Sequence, residues 1–297
     1  MKSVIPYVIL FLSTTVTFGQ NAEPLFRFGI VADVQYCDCE TGGTRHYRES
    51  LAKFQEAVEE FNKHDLEFVA SLGDFIDRDF QSFEAVNAIA SQLKSPLWHA
   101  IGNHEWSVAD LEKAQVPSIL GLKKRYYSKS LNGWRFIFLD GNAVSLYGAK
   151  EGSAEYLEAQ QLFQSLEQDK APNAKTWNGA LGTAQLEWVE KELKSATKKK
   201  EKVILLCHFP VVPYPGGHNL WDDARVLELI KSHENVVAYF SGHVHKGHYE
   251  EVGKVHYVVF DGMVEQDSNA YAIVSVYGDR LEINGFGREQ DRVLDLY

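Results

Sequence analysis

Five apolar stretches of the chain each end in side chains that can bind a metal ion. In chain order the segments that follow these stretches are Asp33-Val34-Gln35, Gly73-Asp74-Phe75-Ile76-Asp77, Gly102-Asn103-His104-Glu105, His208, and Gly242-His243-Val244-His245. Any one of them could be an ordinary turn or a surface histidine. Five in one chain, each directly after an apolar run rich in β-forming residues, predict a shared site, because ligands bind at the carboxyl ends of strands in open α/β sheets.

The donor types in these segments suit two divalent cations. Asp33 and Gln35 stand two residues apart beyond one strand and can offer oxygens to a single ion, whereas the carboxylate of Asp74 can bridge two ions. Oxygen donors mixed with a few imidazoles suit Mn²⁺ or a similar ion, and the lack of thiolates argues against a structural zinc site. Cys207 precedes His208, but neighbouring side chains of a strand point to opposite faces. The predicted ligands are Asp33, Gln35, Asp74, Asn103, His208, His243 and His245.

The charge of the chain restricts the ligands that such a site can attract. Lys and Arg number 30 against 41 Asp and Glu among 297 residues, which gives a formal net charge of −11. Nucleic acid is therefore not an expected partner, because it requires a clustered basic face. Two divalent ions contribute four positive charges, of which Asp33, Asp74 and a bridging hydroxide remove three. The site stays positive, so we expect a small anionic phosphate compound to bind there.

The elements that must position these side chains alternate along the chain. Strands are predicted over residues 25–32, 66–72, 97–101, 134–139, 203–207 and 236–240, and helices over 47–61, 80–93, 185–193 and 224–230. Later residues show only strand-like runs, at 255–260, 270–276 and 281–286. A βα alternation that ends in a meander predicts an α/β sandwich whose sheets are covered by helices. With 45% hydrophobic residues and no repeat or Pro-rich linker, residues 20–297 are predicted to form one catalytic domain.

The first residues are typical of an export signal. Lys2 precedes an uncharged apolar run over residues 4–12, and small and polar residues lead to a predicted cleavage site after Gly19. The run is shorter than the roughly 20 residues that span a bilayer, which argues against a membrane anchor. We expect residues 1–19 to be a cleaved signal peptide. The mature protein is then a secreted or periplasmic monomer that is not attached to the membrane.

The cysteines give little sign of a disulfide framework. Cys37, Cys39 and Cys207 form no CxxC pair of the zinc-binding type. Two of them could form a bridge, but Cys37 and Cys39 stand too close in the chain for an unstrained one. Three free thiols are therefore expected.

The ordered set of motifs resembles the signature of the calcineurin-like metallophosphoesterases. Their usual first motif is Asp-x-His, and here Gln35 replaces the His. This replacement is typical of the Mn²⁺-dependent ADP-ribose/CDP-alcohol diphosphatase family. Further stretches similar to that family are Gly43-Thr44-Arg45 with Tyr47-Arg48, Asn178-Gly179-Ala180, Gln185-Leu186-Glu187-Trp188, Gly285-Phe286-Gly287-Arg288, and Asp291-Arg292.

The resemblance implies a four-layer α/β/β/α sandwich with a dinuclear metal site at the carboxyl ends of its strands. It implies two divalent ions, with Mn²⁺ expected. It also implies hydrolysis of nucleoside diphosphate-linked sugars or alcohols, such as ADP-ribose or CDP-choline, by a hydroxide that bridges the ions. The products are a nucleoside monophosphate and a phosphorylated sugar or alcohol. His104 would protonate the leaving group or stabilise the transition state, and Asp77 either orients His104 or is a peripheral carboxylate.

The substrate-binding residues are less constrained by the sequence. Arg45 and Arg48 can bind a phosphate through bidentate hydrogen bonds, although either could be a solvated helix residue. The connection over residues 141–182 exceeds ordinary loop length, holds helical stretches and is a candidate lid. Several aromatic residues near the motifs could stack on a base or simply pack; they are Tyr36, Phe75, Trp106, Tyr214 and Trp221.

Three other functions are compatible with a similar site. A cyclic nucleotide phosphodiesterase shares the ligand set, and Gln35 argues against it. A broad-specificity phosphatase of the purple acid type normally has a Tyr three residues after the bridging Asp, where this chain has Asp77. A binding or scaffold module that has lost its chemistry would show gaps in the ligand set, and the sequence shows none. Turnover of different phosphate compounds would distinguish these functions.

Overall fold

The computed structural model describes residues 23–212 and 216–297. The predicted signal peptide and Tyr214 lie outside the described residues. Across those two ranges, no helix combines the length and the apolar character needed to cross a bilayer.

The first sheet has six strands, and its centre is parallel. Along the sheet they are β12 (Arg292–Asp295), β11 (Arg280–Gly287), β10 (Ala270–Val276), β1 (Phe26–Val31), β2 (Val69–Ser71) and β3 (Leu97–His99). Strands β1, β2 and β3 are parallel to one another, whereas β10 pairs with β1 in the antiparallel sense. The carboxyl ends of the three parallel strands therefore lie at one edge of this sheet.

The second sheet also has six strands and is parallel apart from its two edges. Along the sheet they are β4 (Tyr127–Leu131), β5 (Trp134–Phe138), β6 (Lys202–Leu206), β7 (Val236–Ser241), β9 (Val255–Val259) and β8 (His248–Val252). The edge strands β4 and β8 are antiparallel to their neighbours. They were not predicted, nor was β12, because these edge strands carry polar and partly exposed residues instead of apolar runs.

Helices cover the outer face of each sheet. The longer ones are α1 (Ser50–Phe61), α2 (Ser82–Ala90), α5 (Ala154–Gln168), α6 (Gly182–Lys199) and α7 (Asp223–Lys231); the short ones are α3 (Asp110–Lys113), α4 (Val116–Ile119) and a 3₁₀ turn (His104–Trp106). Helices α1 and α2 pack on the first sheet, and α6 and α7 pack on the second. Apolar side chains of both sheets form the central core, as where Phe28 meets Phe136 at 5.4 Å between ring centroids. These layers confirm the predicted α/β/β/α sandwich.

Helix α6 is longer than the sequence pattern predicted. The apolar periodicity ends near Leu193, but the helix continues to Lys199. Two lysines in its last turn interact favourably with the carbonyl end of the helix dipole. Lys200 then ends the helix in the left-handed conformation, with φ of 57°. The exposed run of three lysines is thus mostly helical, and its last residue ends the helix.

The connection over residues 141–182 is packed against the domain. Ala159 of α5 is buried with Val144, Ala180 and Trp221 in one apolar cluster. These contacts fix α5 beside the start of α6. The role of this connection as a lid stays a prediction.

The expectation of three free thiols was wrong. Cys37 and Cys39 form a disulfide in the loop after Gln35, with 5.2 Å between their Cα atoms. That separation lies within the ordinary range for disulfides. The two Cα atoms come this close because the loop turns here instead of running extended. Cys207 is free and buried, and burial raises the pKa of its thiol to about 12. It packs in the apolar layer beneath α6, on the opposite face of the strand end from His208.

Candidate metal centre

The two sheets contribute different donor types to one crevice. The predicted oxygen ligands follow strands of the first sheet, with Asp33 and Gln35 after β1, Asp74 after β2 and Asn103 after β3. The predicted imidazole ligands follow strands of the second sheet; they are His208 after β6, and His243 and His245 after β7. Because the parallel strand ends of both sheets meet, the fold brings all seven predicted ligands together.

The donor atoms form two clusters that share one carboxylate. Asp74, His208 and His243 offer donor atoms within 4.8 Å of one another, and so do Asp33, Asp74 and His245. In the first cluster, His208 Nε2 lies 3.2 Å from Asp74 Oδ2. In the second cluster, His245 Nε2 lies 3.4 Å from Asp33 Oδ1. Asp74 is therefore placed where a bridging carboxylate between two ions would stand.

The three histidines are oriented in the same way. Each has one ring nitrogen against an oxygen acceptor outside the cluster, and its other nitrogen faces the cluster. The outer contacts are His208 Nδ1 to the carbonyl of Leu72 at 2.9 Å, His243 Nε2 to Asn178 Oδ1 at 3.1 Å, and His245 Nδ1 to Glu265 Oε1 at 2.8 Å. Such acceptors fix the tautomer and direct the free lone pair of the imidazole, as they do for metal-binding histidines.

Two buried oxygens in the centre fit the requirement of a cation. Among the described residues, Gln35 Oε1 and Asp74 Oδ2 are buried without a hydrogen-bond donor. Gln35 is held through its Nε2, which donates to Asp77 Oδ1 at 2.8 Å. Buried acceptors without a donor are rare because their desolvation is uncompensated. A bound cation would satisfy both oxygens, so the donor set fits a divalent metal.

Five of the predicted ligands have a strained backbone. The φ angles of Asp33, Gln35, Asp74, His243 and His245 are 50°, 45°, 51°, 71° and 63°. The left-handed region is uncommon for residues other than glycine, and strain of this kind clusters at functional sites. Here it turns the chain sharply just after each strand.

Two glycines of the motifs are required by the close approach of the carboxylates. A Cβ at Gly102 would lie 2.2 Å from Asp74 Oδ1, and one at Gly242 would lie 2.6 Å from Asp33 Oδ2. Any side chain at these positions would displace a predicted ligand. Glycine is needed at these two positions because there is no room for a Cβ atom, and not because of an unusual backbone conformation.

Glu105 is buried beneath the predicted ligands and holds the loops that carry them. This role was not predicted from the sequence. The carboxylate of Glu105 accepts hydrogen bonds from the backbone N–H groups of Asp74, Phe75 and Gly102, at 3.1, 2.6 and 3.0 Å. Complete burial, with the nearby charge of Asp74, raises the pKa of Glu105 to about 7. Glu105 thus links the loop after β2 to the loop after β3, and these hydrogen bonds hold the backbone of Asp74 in position.

His104 lies at the mouth of the centre, beside the predicted ligands. Its backbone N–H donates to Asp74 Oδ1 at 2.9 Å, and its Nδ1 lies 2.9 Å from the carbonyl of Asp77 and 3.1 Å from Asp77 Oδ1. Burial lowers the pKa of His104, but the carboxylates of Asp74 and Asp77 outweigh it and raise the pKa to about 9. Asp77 is only 2% exposed, so it is a buried neighbour of His104 and not a peripheral carboxylate.

The predicted substrate-binding residues have different surroundings. Arg45 lies 3.7 Å from Glu265, which is the partner of His245, whereas Arg48 pairs with Asp38 and Glu40 in the preceding loop. Trp106 is buried beneath the guanidinium of Arg125, and Tyr36 is partly buried beside Ile76. Phe75 packs on Phe54 and Trp221 on Phe163, so both belong to the apolar core.

Two further residues of the centre had weak sequence signals. Asn178 belongs to a stretch quoted for its family resemblance, and the structure shows that it holds His243. Glu265 follows the strand β9 after five residues and belongs to no motif. The hydrogen bond with His245 lowers the pKa of Glu265 to about 2. An acidic residue after a strand of the same sheet was the available signal.

Comparison with known proteins agrees with this geometry. A family model described as calcineurin-like phosphoesterase matches residues 26–247. The chain belongs to the calcineurin-like phosphoesterase family, which confirms the resemblance seen in the motifs.

Several members of this family are similar to the chain over most of its length. Proteins from Mus musculus and Homo sapiens, both described as manganese-dependent ADP-ribose/CDP-alcohol diphosphatase, are each 30% identical to this chain. The alignments cover 92% and 93% of this chain and 94% of each relative. A solved structure described as a dimetal phosphatase from Danio rerio matches with a TM-score of 0.85 and 25% identity, over 93% of this chain and 100% of that one. This protein is a metal-dependent phosphoesterase.

Proposed function

We propose that this protein is a Mn²⁺-dependent diphosphatase that hydrolyses nucleoside diphosphates linked to a sugar or an alcohol, such as ADP-ribose and CDP-choline. The observation that carries the proposal is the position of Asp74, which belongs to both donor clusters. The substrate class is supported by the descriptions of the two mammalian relatives. Gln35, in place of the usual histidine, supports the same choice.

The ligands divide between two ions. Asp33, Gln35 and His245 would hold one ion, and Asn103, His208 and His243 the other, with Asp74 shared between them. When bound, such a pair of ions lowers the pKa of water and orients the phosphoryl oxygens for in-line attack. The imidazole acceptors outside the clusters keep the three histidines in the orientation that binding requires.

His104 supplies a proton or a hydrogen bond at the reacting phosphate. Against the effect of burial, the carboxylates of Asp74 and Asp77 raise the pKa of His104 to about 9, which is the direction that a general acid requires. Asp77 accepts from Nδ1 and directs the other edge of the ring away from itself. Since the ring is 24% exposed, the substrate can reach it from the mouth of the crevice.

The reaction breaks one phosphoanhydride bond. Water adds to one phosphorus, the bridging P–O bond breaks, and a nucleoside monophosphate and a phosphorylated sugar or alcohol leave. We also propose that the enzyme acts as an exported monomer on small nucleotides, with no nucleic acid or membrane partner. Support for these last points comes from the sequence alone.

Hydrolysis of a substrate panel tests the proposal. ADP-ribose, CDP-choline, cyclic AMP and a simple phosphomonoester are compared with Mn²⁺ and with Mg²⁺. The proposal expects the first two compounds to be hydrolysed fastest, with Mn²⁺ preferred. Faster turnover of cyclic AMP would identify a cyclic nucleotide phosphodiesterase, and equal rates on the monoester would identify a general phosphatase.

A further inference from the structure

A single loop, residues 262–266, contacts Asp33 and His245, two of the predicted ligands of one donor cluster. Its backbone reaches Asp33, because the N–H of Val264 donates to the Asp33 carbonyl at 2.9 Å. It also reaches His245, because the N–H of Gly262 donates to the His245 carbonyl at 3.2 Å. The side chain of Glu265 then holds His245 Nδ1 at 2.8 Å. The position of this loop therefore determines the geometry of Asp33 and His245 together.

The loop is fixed on its other side by a buried lysine. Lys53 Nζ, from helix α1, donates to the carbonyls of Met263, Glu265 and Gln266, at 2.9, 3.2 and 2.5 Å. Lys53 is only 6% exposed, and an ammonium group has three donors, so each donor has an acceptor in this loop. The contacts join segments more than 200 residues apart in the sequence.

The three carbonyl oxygens of the loop point toward one place, and the ammonium group of Lys53 occupies it. Gln266 has a left-handed backbone, with φ of 56°, so consecutive carbonyls of the loop turn toward one point. Arg288 supports the flanks of the same loop by donating to the carbonyls of Gly262 and Ser268. Burial, aided by the charge of Arg288, lowers the pKa of Lys53 to about 8. Without a cation at this point, several buried carbonyl oxygens would lack a donor, which is costly.

We propose that Lys53 is a positioning residue for the Asp33 and His245 half of the metal centre, acting through the loop 262–266 and through Glu265. Lys53 itself touches neither ligand. The inference rests on the two-ion site of the proposed function. We expect an asymmetric effect, because among the described contacts the loop hydrogen-bonds to Asp33 and His245 and not to Asp74, His208 or His243.

Mn²⁺ titration of the full chain tests the asymmetry. In Lys53→Met the length of the side chain is kept and the donors are lost. We expect one Mn²⁺ to bind with unchanged affinity and the second to bind about 10–100-fold more weakly, the usual effect of losing a group that supports a ligand. The spin-coupled electron paramagnetic resonance signal of a manganese pair should weaken in parallel. Lys63→Met is the matched control, because Lys63 is exposed just after the end of helix α1 and pairs with Glu60 on the surface.

A double-mutant cycle separates positioning from general destabilisation. Glu265→Gln should produce the same selective loss, and Lys53→Met combined with Glu265→Gln should lose less than the sum of the two effects, since both act on His245 through one loop. Additive effects, equal weakening of both ions, or unchanged binding would overturn the proposal. If Lys53→Met does not fold, Lys53→Gln removes the positive charge and one of the three donors, and a smaller selective loss of the same ion is expected. A wild-type protein that binds one ion would instead reject the two-ion function itself.

Discussion

Asp33 and His243 are 210 residues apart in the chain, yet the backbone N–H of His243 donates to both carboxylate oxygens of Asp33, at 3.1 and 3.2 Å. The two residues follow strands of different sheets, β1 and β7. Their contact ties the sheets together at the crevice, with Gly242 leaving room for the carboxylate. The metal centre is therefore assembled only when the sandwich has closed.

Removal of Asp74 should empty both halves of the centre. Burial raises the pKa of Asp74, but the imidazoles of His208 and His104 outweigh it and keep the carboxylate ionised. Asp74→Ala should lose both Mn²⁺ ions together, because the carboxylate belongs to both clusters. Isothermal titration measures the stoichiometry, and Asp110→Ala, at an exposed residue, is the control. Retention of one tightly bound ion would show that Asp74 does not bridge.

Replacement of His104 should separate chemistry from metal binding. His104→Ala should keep both ions and lower kcat by about 10²–10⁴-fold, which is the usual contribution of a general acid. Metal content is measured beside the rate. A collapse of Mn²⁺ binding would mean that His104 is a ligand, and our assignment of its role would be wrong.

Replacement of Gln35 should change the metal preference. Gln35→His exchanges a hard amide oxygen for an imidazole, which favours softer ions than Mn²⁺. The relative activation by Mn²⁺, Zn²⁺ and Fe²⁺ is the measurement. An unchanged preference would show that position 35 does not select the metal.

His99 should make stability sensitive to acid. Burial lowers the pKa of His99 to about 4, against an ordinary value of 6.5. The unfolded chain thus binds a proton first, so the contribution of His99 to stability is complete above pH 6.5 and is lost as the pH falls toward 4. The expected loss between pH 7 and pH 5 is about 2 kcal/mol.

Urea unfolding at several pH values measures this effect. His99→Leu should show a smaller fall in the free energy of unfolding between pH 7 and pH 5, whatever its stability at pH 7. Other groups titrate alike in both proteins, so the difference between the two pH profiles isolates His99. Parallel profiles would contradict the prediction.

The central strands and the seven candidate ligands can both be predicted from the sequence, because they follow one physical rule. Buried parallel strands are continuous apolar runs, and a ligand must stand at the end of such a run to reach the crevice. Asp33, Asp74 and His208 follow this rule directly. Donor type and position are the basis on which the sequence predicts them as ligands.

Other features depend on contacts that a local pattern does not record. Glu265 becomes a partner of His245 only because the loop 262–266 folds back on it. Strand β8 carries polar residues and pairs at an edge, so it lacks apolar alternation. The disulfide of Cys37 and Cys39 depends on the turn after Gln35. The sequence spacing alone does not show this turn.

Anomalous diffraction from crystals soaked in Mn²⁺ would show directly whether Asp74 lies between two ions. We expect two manganese peaks about 3.5–4 Å apart, with the carboxylate of Asp74 between them. A single peak, or a second peak remote from Asp33 and His245, would contradict this expectation.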